Sequence, residues 1–353
     1  MDTRSTDERF IRDALDLAGR GPEVDPNPRV GCVLVASGDI VGSGWHRGAG
    51  SPHAEVAALE AAGDRACGST AYVSLEPCAH TGRTGPCAQA LIDAGVARVV
   101  FAQSDPNPAA RGGGAALERA GVRVEAGVLA GEASMLNEYW TFAVTHGRPF
   151  LTWKFAATLD GRSAAVDGSS QWITGPTARA DVHLLRAGVG AIVVGTGTVL
   201  ADDPQLTVRT PTTPDLMPLR VVVGGRAVPD AARVLDDSAP TIQLRRHDPG
   251  AVLAELHRRQ IRHVLLEGGP TLGAAFLTAG LVDEVVCYLA PMLLGDGHPA
   301  VGPLGIESIG GAASFQLHDV TRIGNDVRLK MRPGCSAIPT SDIPTSDIPQ
   351  EET

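Results

Sequence analysis

Short apolar runs alternate with helical segments along this chain, and this alternation constrains the fold more than any other feature. The first half should begin with one helix, opened by a capping box at Ser5–Glu8 and carrying Phe10, Ala14 and Leu17 on one face. A β-hairpin across Ser37–Asp39 follows. The predicted strands are 30–35, 40–45, 71–75, 98–102 and 122–124; the further helices are 53–62, 86–94, a short one around Leu117, and 132–144. This order is typical of a three-layer α/β/α domain.

A second α/β series begins after the loop His146–Pro149. Its predicted strands are 150–156, 191–195, 220–223, 263–267 and 283–290, its helices are 176–187, 251–260 and 271–279, and a hairpin at 314–323 and 326–331 closes it. Because 353 residues suit two domains, we predict one at 1–147 and one at 148–335. Residues 336–353 repeat the string Ile-Pro-Thr-Ser-Asp and have no core-forming potential, which predicts a disordered tail.

The charge of the chain argues against a nucleic-acid partner. Residues 1–147 carry 12 Lys and Arg against 18 Asp and Glu, a net charge of −6; residues 148–335 are neutral, and the tail carries −4. No run approaches the roughly 18 apolar residues of a membrane span, and the polar N-terminus does not resemble a signal peptide. We therefore expect a cytoplasmic protein with no membrane partner.

The strongest chemical signal is His53-Ala54-Glu55, followed by Glu76-Pro77-Cys78 and by Gly85-Pro86-Cys87. One histidine and two cysteines form a three-ligand set for Zn²⁺ that leaves a fourth, tetrahedral position for water. Zn²⁺ lowers the pKa of such a water from about 15.7 to near 7. Glu55 lies where a carboxylate can move the water proton to a departing amine without binding the metal, so we predict that it is catalytic.

The alternative is that two buried cysteines and a surface histidine share no function. The complete pattern argues against it, since it is the signature of zinc nucleobase deaminases, although eight residues rather than two separate Cys78 from Cys87. The other four cysteines are expected to be small buried or tolerated residues: Cys32, Cys67, Cys287 and Cys335.

The wider spacing between Cys78 and Cys87 is part of a resemblance to a known family. The segment Glu76–Cys87, with Asn27–Gly31 and Gly44–His46, closely resembles the deaminase half of the bifunctional riboflavin-biosynthesis deaminase–reductases. The resemblance implies a cytidine-deaminase-like domain in which the pyrimidine and its ribose phosphate contact Asn27, His46, His80 and Arg83. Arg83 stands where many relatives have lysine, and it keeps the positive charge. Asn27 and Arg83 could instead be ordinary turn residues.

The second half contains no Rossmann fingerprint, because Gly188-Val189-Gly190 and Gly195-Thr196-Gly197 both lack the third glycine. It nevertheless resembles the reductase half of the same family. The matching segments, in order, are Lys154–Arg162, Ser169–Gly175, Asp181–Arg186, Thr196–Arg209 and Glu267–Leu272. The resemblance covers about residues 7–332 and implies a dihydrofolate-reductase-like α/β domain that uses NADPH.

That resemblance also implies the reductase site. Its substrate-binding residues would be Lys154, Ser170, Arg186, Leu206, Arg209 and Glu267, with both arginines at the 5′-phosphate. Its cofactor-binding residues would be Ala156, Trp172, Thr174, Thr198, Asp202, Gly269, Pro270 and Thr271, the last three at a helix start that suits pyrophosphate. Asp202 is a candidate proton donor, although Asp202-Asp203-Pro204 also reads as a turn. Gly224-Gly225 departs from the Asp-Ser-like pair of many relatives, which would weaken NADPH binding.

The resemblance implies a bifunctional enzyme: a zinc hydrolase that deaminates a phosphoribosylaminopyrimidine, joined to an oxidoreductase that reduces its ribosyl chain. It also implies a homo-oligomer. One alternative is a nucleoside or tRNA deaminase fused to an unrelated reductase; the acidic first domain and the long cysteine loop count against it. Another is a non-catalytic zinc module that binds a partner through the tail. Glu55 argues against that reading, since a structural zinc site needs no proton carrier.

Overall fold

The computed structural model describes residues 3–80, 85–210 and 216–334, and the chain in it divides into two units. The first contains Met1–Pro149 with Leu256–His263, and the second contains Phe150–Glu255 and the described residues from Val264 on. Arg83, Cys335 and the predicted tail lie outside the described residues. No helix in the described ranges is long and apolar enough to cross a bilayer.

The first unit is a five-stranded sheet with helices packed on it. The helices are α1 (Thr3–Ala18), α2 (Ala54–Ala62), α3 (Cys87–Asp93), α4 (Gly113–Arg119), α5 (Ala130–Leu136) and α6 (Glu138–His146). The strands are β1 (Gly31–Ala36), β2 (Asp39–Trp45), β3 (Thr70–Leu75), β4 (Arg98–Gln103) and β5 (Arg123–Ala126), in the order β2-β1-β3-β4-β5. Strand β1 is antiparallel to β2 and β3, whereas β3, β4 and β5 are parallel.

Two predictions for this unit are wrong in detail. The first helix is already formed at Thr3, so the capping box does not open it; Glu8 instead forms an exposed i,i+4 ion pair with Arg4. The single helix predicted at 132–144 is two helices that meet at Asn137, which has a φ of −110° and whose side chain is hydrogen-bonded to the backbone of Arg29.

Two glycines bring α2 close to the β1–β2 hairpin. A Cβ at Gly42 would lie 2.3 Å from the Ala58 carbonyl oxygen, and one at Gly44 would lie 2.6 Å from the Ala57 Cβ and the Ala58 nitrogen. Any side chain at either position would push the helix away. The start of α2, which carries His53 and Glu55, is therefore fixed by a backbone-to-backbone approach.

The second unit is built on an eight-stranded sheet. Its strands are β6 (Phe150–Thr158), β8 (Ala191–Gly195), β9 (Leu219–Val223), β10 (Thr241–Leu244), β11 (His263–Leu266), β12 (Glu284–Ala290), β14 (Phe315–Ile323) and β15 (Asp326–Pro333), in the order β10-β9-β8-β11-β6-β12-β15-β14. The short strands β7 (Arg162–Ala164) and β13 (His298–Pro299) pair separately. The helices are α7 (Pro176–Ala187), α8 (Thr196–Asp202), α9 (Pro249–Arg258) and α10 (Pro270–Thr278). The end of α9 and the first residue of β11 fall within Leu256–His263, the segment grouped with the first unit.

Strands β8, β9 and β10 run parallel to one another, as do β8 and β11, and β6 and β12. In the closing hairpin, β15 lies antiparallel to β12 and β14 lies antiparallel to β15. The predicted α/β class is confirmed for both halves, but β7, β10, β13 and α8 were not predicted. Helix α8 covers the residues before Asp203, whose left-handed φ of 40° ends the helix.

Candidate active sites

The three predicted zinc ligands converge in the first unit. His53 caps α2 in an extended conformation, Cys78 follows β3, and Cys87 is the first residue of α3. His53 Nδ1 lies 3.1 Å from Cys87 Sγ and 3.7 Å from Cys78 Sγ, and all three ligand atoms lie within 4.8 Å of one another. A tetrahedral Zn²⁺ with ordinary bond lengths would separate its ligand atoms by about 3.5 Å. The residues present therefore fit the metal.

The pKa values of the two thiols are shifted in opposite directions. The hydrogen bond from Cys87 lowers the pKa of Cys78 to about 4. The same hydrogen bond, together with burial, raises the pKa of Cys87. The backbone N–H of Cys87 also donates to Cys78 Sγ at 3.4 Å. A bound cation favours loss of the remaining thiol proton, so zinc binding and deprotonation are linked.

Glu55 lies in the first turn of α2 with only 3% of its surface exposed. Burial raises its pKa to about 7, and the negative charge of Cys78 acts in the same direction, against His53. A carboxyl group with this pKa both accepts and releases a proton near neutral pH, which is what general acid–base catalysis requires.

Asn27 and His46 are brought together beside the cluster. His46 is buried, and its Nε2 lies 3.2 Å from Asn27 Nδ2 while its Nδ1 lies 3.1 Å from the Pro52 carbonyl oxygen. The rings of His46 and His53 are 5.7 Å apart and nearly perpendicular. His80 is exposed just after Cys78. The structure thus places three of the four predicted substrate contacts in the first unit near the zinc ligands.

Sequence reasoning missed Glu76 and Asp105. Glu76 accepts hydrogen bonds from the backbone N–H groups of Gly112, Gly114 and Asp105, at 3.0, 3.0 and 3.1 Å, which fixes the chain entering Pro77-Cys78. Asp105 is buried, and burial raises its pKa to about 6. The position of Glu76 two residues before a ligand was a usable signal, whereas no motif pointed to Asp105.

An ion pair organises the candidate reductase site of the second unit. Arg186 on α7 donates to both carboxylate oxygens of Glu267, Nε to Oε1 at 2.6 Å and Nη2 to Oε2 at 2.9 Å, and Nη1 donates to the Thr207 carbonyl at 3.0 Å. Lys154 on β6 lies next to this pair, with its Nζ 5.8 Å from the centre of the Tyr288 ring. Burial lowers the pKa of Lys154, although Glu267 opposes the change.

The segment that follows α8 supplies two more predicted residues. Leu206 is buried at a left-handed φ of 55°, and Arg209 is exposed. The Arg209 backbone N–H donates to His183 Nδ1 at 3.2 Å, and its Nη1 lies 3.4 Å from Thr207 Oγ1. His183 and Thr207 thus contact predicted site residues, although sequence reasoning did not include them.

Four of the predicted cofactor residues lie just after the ends of β8 and β11: Thr198, Gly269, Pro270 and Thr271. The Gly269 N–H donates to Thr198 Oγ1 at 3.1 Å, and Leu272 and Gly273 donate to the Gly269 carbonyl. Since Pro270 has no N–H, Thr271 alone among residues 269–273, all of which are described, keeps an N–H for a ligand. The start of α10 therefore offers one N–H to one phosphate oxygen, fewer than the sequence suggested.

The remaining cofactor residues lie on β6, in the segment before α7 and at the end of α8. Ala156 is half-buried on β6, two residues from Lys154 and hence on the same face of the strand. Trp172 is 65% exposed, with the Arg179 guanidinium 4.3 Å above its ring, and Thr174 accepts a hydrogen bond from Arg179 through its carbonyl oxygen. Burial raises the pKa of Asp202, which Ser170 partly offsets through a hydrogen bond.

These two sites define a zinc-dependent deaminase domain joined to an NADPH-dependent reductase domain, and comparison with known proteins agrees. The family model for the cytidine and deoxycytidylate deaminase zinc-binding region matches residues 4–103, and the RibD C-terminal domain model matches residues 149–329. The riboflavin biosynthesis protein RibD of Mycobacterium tuberculosis is 49% identical over 87% of this chain and 91% of its own.

Two solved structures share the whole architecture. RibD of Acinetobacter baumannii has a TM-score of 0.87 and 41% identity, covering 94% of this chain and 100% of its own. A Thermotoga maritima diaminohydroxyphosphoribosylaminopyrimidine deaminase/5-amino-6-(5-phosphoribosylamino)uracil reductase has a TM-score of 0.82 and 32% identity, covering 94% and 100%. The chain therefore belongs to the RibD family, the bifunctional deaminase–reductases of riboflavin biosynthesis, which use zinc and NADPH.

Proposed function

We propose that the first domain hydrolytically removes the 2-amino group of the diaminopyrimidinone ribosyl phosphate, and that the second reduces the ribosyl chain of the resulting aminouracil to ribityl. The observation that carries the first reaction is the buried Glu55, with a pKa near 7, beside the converging His53, Cys78 and Cys87. The Thermotoga relative named for both reactions supports the pairing.

In the deaminase site we assign the metal to His53, Cys78 and Cys87 and the proton transfers to Glu55. Zn²⁺ bound there supplies the Lewis acidity that makes water a nucleophile at neutral pH. Glu55 takes the proton of the attacking water and returns it to the departing amine, so that ammonia leaves as a neutral molecule.

Substrate binding in that site is assigned to Asn27, His46, His80 and Arg83. Asn27 can offer its amide oxygen to a pyrimidine donor, because its nitrogen is committed to His46. His80 and Arg83 would hold the ribose phosphate.

In the reductase site Arg209 and Arg186 are assigned to the 5′-phosphate. Arg209 has no carboxylate partner within the described residues, whereas the charge of Arg186 is matched by Glu267. Arg209 should therefore contribute most of the phosphate attraction. Ser170, Leu206, Glu267 and Lys154 would contact the sugar and the base.

NADPH supplies the hydride, and its binding is assigned to Ala156, Trp172, Thr174, Thr198, Asp202 and Gly269–Thr271. Asp202 is the proposed proton donor, since partial desolvation raises the pKa of its carboxyl. We also propose that the domain limits are 1–147 and 148–335, with 336–353 as a tail, and that the protein is a cytoplasmic homo-oligomer.

The test is to supply the diaminopyrimidinone phosphate with and without NADPH, identify both products, and measure bound zinc. Glu55→Gln should lose deamination by about 100-fold or more while zinc stays bound and the aminouracil is still reduced. Glu60→Gln, on the exposed side of the same helix, is the matched control and should change neither activity. Unchanged deamination in Glu55→Gln, or turnover of cytidine or tRNA instead, would overturn the proposal.

A further inference from the structure

Three arginines and one histidine follow the ends of the neighbouring strands β9 and β10: Arg226, Arg245, Arg246 and His247. In the parts of the chain that the structure describes, none of them forms an ion pair. Other arginines of the same unit do pair with carboxylates, Arg186 with Glu267 and Arg328 with Asp181. We propose that Arg226 and His247 bind the 2′-phosphate of NADPH and so select NADPH over NADH. This inference rests on the proposed reductase function.

The topology places these groups on the path of the cofactor. Strands β8, β9 and β10 are parallel, so their carboxyl ends lie at one edge of the sheet, where α/β proteins bind ligands. Arg226 Nη2 lies 2.7 Å from the Cβ position of Gly197, so the guanidinium rests against the backbone just before Thr198. It is therefore adjacent to the Thr198–Gly269 contact assigned to the pyrophosphate.

His247 follows β10, which lies beside β9 at the edge of the sheet. Its Nε2 lies 3.4 Å from the Cβ position of Gly225. Gly224 has a φ of 132°, and a Cβ there would lie 2.7 Å from Thr196 Oγ1, so the turn is restricted to glycine. A side chain at Gly225 would also crowd the imidazole. The lack of side chains at Gly224 and Gly225 thus leaves room beside Thr196 and His247, at the turn that leads into Arg226.

The ligand chemistry fits this arrangement. NADPH differs from NADH only by a phosphomonoester on the adenosine ribose, and a phosphomonoester carries close to two negative charges at neutral pH. A guanidinium recognises such a group through two parallel N–H bonds, and imidazole adds a third donor.

The experiment measures dissociation constants of the full-length protein for NADPH, NADH and 2′,5′-ADP by fluorescence titration. Arg226→Gln should weaken NADPH and 2′,5′-ADP by about tenfold or more, and His247→Gln by less, while NADH changes less than about twofold. Arg322→Gln is the matched control, since Arg322 lies on β14 at the opposite edge of the sheet. It should leave all three constants unchanged.

Unchanged NADPH affinity in both variants, or equal weakening of NADPH and NADH, would overturn the inference and leave the reductase assignment intact. Selective loss of 2′,5′-ADP binding in a protein that fails to reduce the aminouracil would support the anion site and overturn the proposed reaction instead.

Discussion

Asn27 Nδ2 lies 3.2 Å from His46 Nε2, and this hydrogen bond fixes the direction of both side chains. The Pro52 carbonyl can only accept, so His46 Nδ1, 3.1 Å away, carries the ring proton and Nε2 is the acceptor. The Asn27 amide nitrogen must therefore donate to His46. Its oxygen is left to accept a hydrogen bond from a pyrimidine amine or ring N–H.

Asn27→Asp should consequently impair deamination. The new carboxylate oxygen would face a lone pair on His46 Nε2, and the hydrogen bond would survive only if the imidazole took a second proton. We expect kcat/KM for deamination to fall by about tenfold or more, with bound zinc unchanged. Steady-state kinetics with a zinc assay test this, and a variant with wild-type kcat/KM would show that the orientation of Asn27 is irrelevant.

Glu267→Gln should destabilise the reductase domain. The variant leaves the guanidinium of Arg186, only 11% exposed, without its charge partner. Removing one member of a buried ion pair costs about 3–5 kcal/mol. The loss is measured by urea unfolding. A change below about 1 kcal/mol would contradict the prediction, because it would mean that Arg186 is solvated well enough without Glu267.

The same pair predicts a pH dependence. Burial opposes ionisation of Glu267, but Arg186 outweighs it and the pKa is lowered overall. A carboxyl group whose pKa is lowered by folding stabilises the protein at pH values above its unfolded-state pKa, about 4.3 for glutamate. This stabilisation is lost as the pH falls through the folded-state pKa. The stability gap between wild type and Glu267→Gln should therefore be complete at pH 7 and narrow below about pH 4. A gap that does not depend on pH would contradict this.

Asp7→Asn should destabilise the deaminase domain without changing its chemistry. Asp7 is 4% exposed and accepts two hydrogen bonds of 2.7 Å from Arg98 and one of 3.0 Å from Tyr72, which joins α1 to β3 and β4. We expect a loss of about 3 kcal/mol in thermal or urea unfolding, with kcat unchanged at low temperature. Asp16→Asn, exposed on the same helix, is the control and should lose less than about 0.5 kcal/mol.

Local pattern was enough to predict most helices and strands, and the zinc ligands with Glu55, because those residues lie in short motifs at element ends. It failed where a distant contact decides the structure. Asn137 departs from helical geometry within a good helical pattern, and its side-chain partner, Arg29, is 108 residues away. Similarly, the Gly269 N–H is consumed by Thr198, so a helix start that looked free for phosphate offers less.

Residues of the reductase site came from the family resemblance, since no periodicity or spacing pointed to them. The resemblance placed Arg186 and Glu267 in one site but not in one ion pair. That pairing depends on how α7 meets the end of β11, a tertiary relationship that neither segment encodes alone.

Asn137→Ala should both lower the stability of the deaminase domain and weaken its substrate binding. Asn137 is 4% exposed, and its side chain accepts the Arg29 N–H and donates to the Arg29 carbonyl, both at 2.9 Å. This pair anchors the loop that carries Asn27, two residues earlier. Leaving two partly buried backbone groups unpaired costs about 2 kcal/mol. We expect KM for deamination to rise several-fold with a smaller change in kcat, because the loop positions substrate rather than the proton-transfer group. Met135→Ala, at a 72% exposed position on α5, is the control and should leave KM and stability unchanged. A lower kcat at unchanged KM would show that the loop acts on the chemical step.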